Sequence, residues 1–519
     1  MDNRPYNIFF SLHTVSGIVI SVLIYVIFFA GSFSFFRDEI INWERDQPVT
    51  AKHILNIDVD AALDSLKKKH DLYGRDISFR RISGERNAVA DFSPSKDTTV
   101  HGAGGFFYLD TDTYQTTDYW SSYTLGEFLY RLHFFAQIPY PAGYYLSGFT
   151  ALFLFFVVLT GVLIHWKKLL THFFVFRPMT KLKTVWTDAH TVLGTIGLPF
   201  QTVYSITGAF FMIQIVLVAP NVLVLYNGNE QKLYEDLGYA AHSYAFTLRK
   251  LPATPEVNPS IVRSARRWKN FHVNEVSIKN YGDSSMHVTV AGVLSSAARF
   301  TGVGEITYRA PAMQVVQEKD PYRTTYAESV KNILYRIHFG DYGGYAVKWG
   351  SFLLGILSCF VVLSGILVWL EARNKKTISV RKRNFNERVG HIYLSICLSI
   401  LPVTAVCFII SRLIPAEFSA QRQPVLYSLF FGGWLLLSAF FTSGKNNRFT
   451  AYWTLAATSV LGALIPVVHG ITTGKWVWVT FAAGYDDLLA VDLLWVGIAL
   501  STGYAVIRMR RNGSTSTAT

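Results

Sequence analysis

Eight long apolar stretches constrain the fold of this 519-residue chain more than any other feature of its sequence. Each is long enough to cross the roughly 30 Å hydrocarbon core of a bilayer as a helix. Only 16% of the residues are charged, whereas about 25% are charged in an ordinary soluble domain. The sequence therefore predicts a polytopic α-helical membrane protein with about eight transmembrane helices, at 8–36, 144–166, 190–219, 346–370, 391–412, 424–442, 450–469 and 487–507.

Basic residues are concentrated in the segments that follow the second, fourth, sixth and eighth stretches, as in "EARNKKTISVRKRNFNER" and "RMRR". These segments all lie on one side of the membrane if both termini are cytoplasmic, which satisfies the positive-inside rule. Topology therefore accounts for the net charge of +13, and we expect the lipid bilayer, and no nucleic acid, as a partner.

Two long polar segments, 41–122 and 221–325, are predicted to lie on the opposite side of the membrane. Each begins with helical periodicity and continues through short strand-like runs, a pattern typical of a small α+β domain. The predicted organisation is a first transmembrane helix at 1–40, an outer domain at 41–122, a histidine helix with two spans at 123–220, a second outer domain at 221–325, a histidine helix with one span at 326–375, and a C-terminal four-helix region at 376–519.

The first four spans contain a duplication. "HTVSG" at 13–17 is repeated as "HTVLG" at 190–194, and "LYRLHF" at 129–134 as "LYRIHF" at 334–339. "LTGVLIHW" likewise corresponds to "LSGILVWL". Because each copy contains two crossings, both copies enter the membrane in the same orientation, and the sequence predicts an internal parallel duplication.

The duplication pairs four histidines. His13 and His190 occupy matched positions near the cytoplasmic edge, and His133 and His338 occupy matched positions at the outer edge. Any one of them, taken alone, is more readily a structural histidine bonded to a backbone carbonyl, and that alternative stays open. A twofold repeat, however, would bring matched imidazoles together in apolar surroundings, which favours two haems, each with two axial histidines. A zinc site would require three or four clustered ligands.

For other polar residues near these spans, the sequence is compatible with more than one role. Arg131 and Arg336 each lie two residues before an outer histidine and could bind haem propionates or serve as interfacial anchors. His165 and His391 lie near the inner surface, where either could bind a further haem. His469, at the outer end of the seventh stretch, is expected to be interfacial.

The stretches "NIFFSLHTVSGIVISVLIYVIFFAGSF" and "WTDAHTVLGTIGLPFQTVYSITGAFF", with the histidine phrases between them, resemble the PepSY-associated transmembrane family over residues 5–375. The outer segments resemble degenerate PepSY modules, which implies a periplasmic location for both. Members of this family include ferric-siderophore reductases of the bacterial inner membrane that carry two haems on transmembrane histidines. The resemblance implies two b-type haems, bound by His13 with His190 and by His133 with His338. The four C-terminal spans depart from the family pattern.

The resemblance implies that electrons cross from the cytoplasmic side to a ferric siderophore or another ferric chelate at the outer face. No Gly-rich dinucleotide fingerprint precedes a helix in the cytoplasmic segments, so the electron donor is expected to be external: a quinol, a flavin or a partner reductase. Tyr140, Tyr144, Tyr342 and Tyr345 are predicted to border the acceptor site, although an aromatic interfacial belt is the simpler interpretation.

Two other functions are compatible with the sequence. A haem-free membrane protein could use PepSY modules to bind or regulate a periplasmic partner, with its histidines serving as ordinary core residues. A transporter with a parallel repeat is less favoured, because the spans are expected to lack the buried acidic residues that mark an ion pathway.

Overall fold

The computed structural model describes residues 3–49, 57–81, 84–168, 171, 174–177, 180–238, 243–414 and 416–514. The chain divides into two compact units. The membrane unit comprises Met1–Asp46, Thr124–Leu217 and Gly343–Thr519, and the sheet unit comprises Gln47–Tyr123 and Val218–Tyr342.

Most of the described residues are helical. In chain order the α-helices are α1 (Asn3–Ser34), α2 (Arg37–Arg45), α3 (Val59–Lys67), α4 (Leu125–His133), α5 (Ala142–His165), α6 (Leu182–Met212), α7 (Gln214–Leu225), α8 (Glu230–Asp236), α9 (Asn258–Ala265), α10 (Tyr326–Phe339), α11 (Gly344–Arg373), α12 (Val380–Leu413), α13 (Arg422–Tyr427), α14 (Gly433–Ser443), α15 (Asn447–Thr473), α16 (Val477–Ala483) and α17 (Asp486–Ser514).

Within the described residues, seven helices are long and apolar enough to cross a membrane, or eight if one bent pair is a single span. This confirms the prediction of a polytopic helical membrane protein. The bent pair corresponds to the third predicted span, 190–219, where Leu182–Met212 and Val216–Leu225 meet at 72°. The helix is interrupted at Ile213, whose φ of −123° departs from helical geometry.

The four spans of the duplication pack in a ring. Helix α1 packs against α5 and α11, and α6 packs against the same two helices. The contacts of α1 with α5 therefore correspond to those of α6 with α11, as expected for two copies related by a pseudo-twofold axis. In the C-terminal region, α12 packs against α14 and α15, and α15 packs against α17.

The sheet unit holds one antiparallel sheet of eight described strands, in the order β4-β3-β2-β1-β5-β6-β7-β8. The two predicted outer segments each supply four strands, and β1 pairs antiparallel with β5 at the centre, with Ile77 opposite Ile278. The two copies are therefore related by a twofold axis through this central pair. The strands are β1 (Ile77–Arg81), β2 (Ala88–Phe92), β3 (Gly105–Leu109), β4 (Thr116–Asp118), β5 (Phe271–Lys279), β6 (His287–Leu294), β7 (Val303–Arg309) and β8 (Gln314–Lys319).

One short helix from each copy covers the sheet and completes its core. Leu63 and Leu66 of α3 and Ile261 of α9 are buried in the same cluster as Ile77 and Ile278. Burying a large aliphatic side chain stabilises a fold by about 1.5–3 kcal/mol. The shared core explains why the two α+β segments form a single unit.

Both histidine helices begin with the same capping motif. The hydroxyl of Thr124 accepts a hydrogen bond from the backbone N–H of Glu127 at 3.2 Å, and Thr325 does the same for Glu328 at 3.1 Å. A threonine N-cap of this kind satisfies one of the N–H groups that a helix start leaves unpaired. The duplication thus extends to the signal that starts each histidine helix.

Replacing Thr124 by Ala should loosen the first turn of α4. Loss of an N-cap hydroxyl typically costs about 1 kcal/mol, because one orphan N–H of the helix loses its acceptor. Amide hydrogen exchange of residues 125–128 should become faster by about fivefold, since that energy corresponds to such a factor. Thr124→Ser keeps the hydroxyl and serves as the control. Equal protection in the Ala and Ser variants would contradict this role.

Candidate cofactor site

The structure brings His13 of α1 and His190 of α6 together inside the ring of four spans. Their ring centroids lie 6.1 Å apart, with an angle of 72° between the ring planes. The two residues hold matched positions in the duplicated sequence, so the pseudo-twofold axis of the repeat passes between them.

Each imidazole is held by a backbone carbonyl of a neighbouring span. The Nδ1 of His13 lies 2.9 Å from the carbonyl oxygen of Val157, and the Nδ1 of His190 lies 2.9 Å from that of Val361. Because a carbonyl oxygen can only accept a hydrogen bond, Nδ1 carries the proton in both residues. Each Nε2 then carries a lone pair, which is the state required of a metal ligand.

Two glycines make room for the histidine rings. A Cβ at Gly161 of α5 would lie 3.1 Å from Cε1 of His13, and a Cβ at Gly365 of α11 would lie 3.1 Å from Cε1 of His190. These are the glycines of "LTG" and "LSG". They let each ring lie directly on the adjacent helix, so the repeated phrases preserve a close contact between helix and imidazole.

A second pair of glycines has a different environment. Gly17 and Gly194 line the same cavity as the two histidines. The nearest atom to a Cβ placed on Gly17 would be Cγ1 of Val157 at 3.9 Å, and for Gly194 it would be Cγ1 of Val361 at 3.9 Å. Packing within the protein therefore does not require glycine at either position. The absence of side chains here keeps space open beside the imidazoles.

The cavity has a volume of about 350 Å³ and is lined mainly by aliphatic and aromatic side chains of α1, α5, α6 and α11. That volume lies within the usual range for small-molecule sites, about 300–1,000 Å³. Among the polar residues of the lining, Gln201 donates to Ser358 at 3.2 Å, and Arg373 stacks over Trp369 near the end of α11. His165 also lines this cavity. Arg373 belongs to the basic segment that follows the fourth span, and its position in the sequence alone does not indicate a place in this cavity.

These residues fit a flat prosthetic group bound through two imidazoles. A metal–imidazole bond of about 2 Å places the centroids of two rings on one metal roughly 6 Å apart, close to the observed separation. The carbonyl-bound Nδ1 atoms and the open space at Gly17 and Gly194 meet the other requirements. In the described part of the chain, no cluster of three or more His, Cys, Asp or Glu side chains could hold a metal ion.

His133, at the end of α4, is held by the same kind of hydrogen bond to a backbone carbonyl. Its Nδ1 lies 2.8 Å from the carbonyl oxygen of Ile27, and a Cβ at Gly31 of α1 would lie 2.6 Å from that nitrogen. Burial lowers the pKa of His133, and the hydrogen bond to Ile27 only partly opposes this effect. The ring is therefore neutral at physiological pH, with a lone pair on Nε2.

The pairing of His133 with His338 stays a prediction. His338 lies on α10, which groups with the sheet unit, whereas His133 belongs to the membrane unit. The two matched arginines also belong to different units. Arg131 lies 3.5 Å from the carbonyl oxygen of Ala136 in the membrane unit, and Arg336 donates to the carbonyl of Leu294 at 3.2 Å in the sheet unit.

The four tyrosines of the predicted acceptor site are divided in the same way. Tyr140, 76% exposed, contacts Tyr144 with ring centroids 5.3 Å apart in the membrane unit. Tyr345 is also in the membrane unit, where Lys348 lies 5.9 Å from its ring centroid. Tyr342 belongs to the sheet unit and packs against Phe300. Their role at an acceptor site stays a prediction.

One expectation about polar residues in the spans was wrong. His469 is fully buried and faces Asp492 of α17, and its location at the membrane interface stays a prediction. The spans do contain buried acidic residues, since Asp492 is fully buried and Asp487 is 6% exposed. Hydropathy predicts the depth of a residue in the membrane but not the helix face that it occupies. His391 contacts Asn447 through Nδ1, and its role as a further haem ligand stays a prediction.

Comparison with protein families agrees with this geometry. The family model described as the PepSY-associated TM region matches residues 10–372, which include the four duplicated spans and the paired strand segments. The chain belongs to the PepSY-associated transmembrane family. No curated protein was found to match the chain. The family match ends just before α12, so the last four spans of this PepSY-associated protein lie outside it.

Proposed function

We propose that this PepSY-associated protein is a dihaem electron-transfer protein of the bacterial inner membrane that reduces ferric chelates in the periplasm. Ferric siderophores are the proposed acceptors, and Fe(II) is the released product. The observation that carries the proposal is the pair formed by His13 and His190, each with Nδ1 bonded to a carbonyl, beside a cavity kept open by two glycines.

The residues of the site would orient and protect the cofactor. The carbonyls of Val157 and Val361 fix the rotation and tautomer of the two imidazoles, and a hydrogen bond of this kind also raises the basicity of the ligating nitrogen. The apolar walls exclude water. A haem held by His13 and His190 would supply one-electron redox chemistry, and ligation by two imidazoles would favour electron transfer over oxygen activation.

A second haem would be bound by His133 and His338, with Arg131 and Arg336 available for its propionates. We infer that electrons enter from the cytoplasmic side, from an external quinol, flavin or partner reductase, and leave at the outer face. The acceptor follows from coordination chemistry, because hard oxygen ligands hold Fe(II) far less tightly than Fe(III). Both termini are then cytoplasmic.

The visible spectrum of the purified protein tests this proposal most directly. We expect the paired bands of low-spin bis-histidine haem on reduction with dithionite, at about two haems per chain. The reduced protein should be reoxidised by a ferric siderophore, with Fe(II) detected by a ferrous-specific chelator. A colourless preparation from haem-replete cells would reject the proposal and favour the haem-free alternative, in which the PepSY modules bind a periplasmic partner.

A further inference from the structure

The C-terminal spans contain a buried histidine–carboxylate pair. His469 of α15 and Asp492 of α17 are both fully buried, and Nδ1 of His469 lies 2.9 Å from Oδ2 of Asp492. The indole N–H of Trp43, on α2, donates to the other carboxylate oxygen at 2.9 Å. Ionisable groups buried within membrane spans are costly, which makes this His469–Asp492 pair a candidate for function.

One nitrogen of the pair is available to bind a proton. Among the described residues, Nε2 of His469 is buried and has no hydrogen-bond partner. With Nδ1–H donating to Asp492, Nε2 carries a lone pair and can accept a proton. A carboxylate that orients an imidazole in this way is the arrangement by which proteins make a histidine a base.

Other charged groups lie near the pair, and Arg412 is close enough to interact electrostatically with Asp492. Arg412 of α12 donates to the backbone carbonyls of Trp43 and Glu44 and lies 5.5 Å from the Trp43 ring centroid. The other charged groups near the pair are partnered as follows: Glu44 with Arg422, Asp487 with Asn42, and Asp46 with Lys475. Within the described residues, Asp492 itself is bonded only by Trp43 and His469.

Neither protonation state of the pair is fully satisfied. With neutral His469, the buried lone pair of Nε2 has no donor among the described residues, which is unfavourable in a membrane interior. With protonated His469, the Asp492 carboxylate gains a second cationic neighbour besides Arg412, but Nε2–H has no acceptor among those residues. The two states are therefore balanced against each other, and a change in nearby charge can shift the balance.

We propose that the His469–Asp492 pair is a proton-binding site that takes up one proton when an electron enters the membrane unit. This inference rests on the proposed function. The arriving electron adds one negative charge, and one proton from water binds Nε2 of His469 and compensates for it. When the electron passes to the ferric ion, which becomes Fe(II), the proton returns to water.

The position of the pair suits this exchange. His469 lies one helical turn, about 5.4 Å, before the end of α15, where Thr472 is exposed. On the other side, Trp495 of α17 packs against Phe33 of α1 with ring centroids 5.8 Å apart. Phe33 lies two residues beyond Gly31, the glycine covered by the ring of His133. The pair thus lies near one end of α15 and, through Trp495 and Phe33, near the part of α1 that contacts His133.

Tryptophan fluorescence tests proton binding independently of any haem. The Trp43 ring centroid lies 5.2 Å from that of His469, and an imidazolium at that distance should quench the indole. We expect the fluorescence of Trp43 to fall in a quenching transition on acidification. The transition should vanish in Trp43→Phe and His469→Gln and persist in His391→Gln. Its persistence in His469→Gln would overturn the proposal.

Redox titration tests the coupling. In the wild-type protein the midpoint potential of one haem should fall with pH by up to about 59 mV per unit, since a tenfold change in a one-electron equilibrium corresponds to 59 mV. Asp492→Asn removes the negative charge and keeps one acceptor oxygen, which can still accept from Trp43, and it should flatten this slope at unchanged haem content. An unaltered slope in folded Asp492→Asn would refute the coupling. Absence of haem would reject the proposed function alone, because the fluorescence result would still stand.

Discussion

Replacing His190 by alanine is expected to remove one of the two proposed haems and to abolish electron transfer to ferric chelates. His190 would supply one of only two protein ligands to the inner haem, and its carbonyl partner on α11 cannot replace it. Loss of a residue that merely supports a metal ligand costs about 10–100-fold, so loss of the ligand itself should cost at least about 100-fold in activity. The measurements are the haem-to-protein ratio and the rate of siderophore reduction.

Matched variants separate this effect from general destabilisation. His13→Ala should give the same spectrum as His190→Ala, because the two residues are equivalent in the repeat. His133→Ala should remove the other haem and leave the inner one spectrally intact, again with loss of reductase activity. His272→Ala, at an exposed position on β5, should change neither quantity. Full haem content and normal reduction in His190→Ala would show that the inner pair is structural.

Local sequence patterns were sufficient to predict the membrane class and the duplication. The apolar stretches appear as helices, and "HTVSG" and "HTVLG" place His13 and His190 at equivalent points of α1 and α6. The joining of both outer segments in one sheet was not predictable. It depends on the pairing of β1 with β5, which lie about two hundred residues apart in the sequence. Neither the hydropathy profile nor the spacing of apolar residues indicates which strands pair.

In the candidate cofactor site, the histidines could be predicted from the sequence but their hydrogen-bond partners could not. The repeated histidines were visible because their residue type is unusual in an apolar span. The partners of their Nδ1 atoms are the backbone carbonyls of Val157 and Val361. Every residue type has a backbone carbonyl, so the sequence does not indicate which one accepts the hydrogen bond. Asp492 was visible in the sequence, but its burial against His469 depends on which face of α17 meets α15.

Substitutions of Gly17 and Gly194 should distinguish a haem-binding protein from a haem-free one. The thermal stability should rise if the cavity is empty, whereas haem retention should fall if a haem fills it. In a haem-free protein, Gly17→Ala and Gly194→Ala should raise the thermal stability, because alanine favours a helix by about 0.8–1.0 kcal/mol relative to glycine. The added Cβ atoms would meet only ordinary contacts at 3.9 Å. If a haem fills the cavity, the same Cβ atoms must compete with it, and haem retention should fall.

Larger side chains at these positions should exaggerate the difference. We expect Gly17→Leu combined with Gly194→Leu to remove the inner haem almost completely, because two isobutyl groups would occupy the space beside both imidazoles. Gly350→Leu is the matched control, since Gly350 lies on α11 with nothing within 4 Å of its Cβ and does not line the cavity. Haem content, measured beside the yield of monodisperse protein, decides the outcome. If the double leucine variant retained two haems, the cofactor would have to lie elsewhere, and the paired histidines would then be explained by helix packing alone.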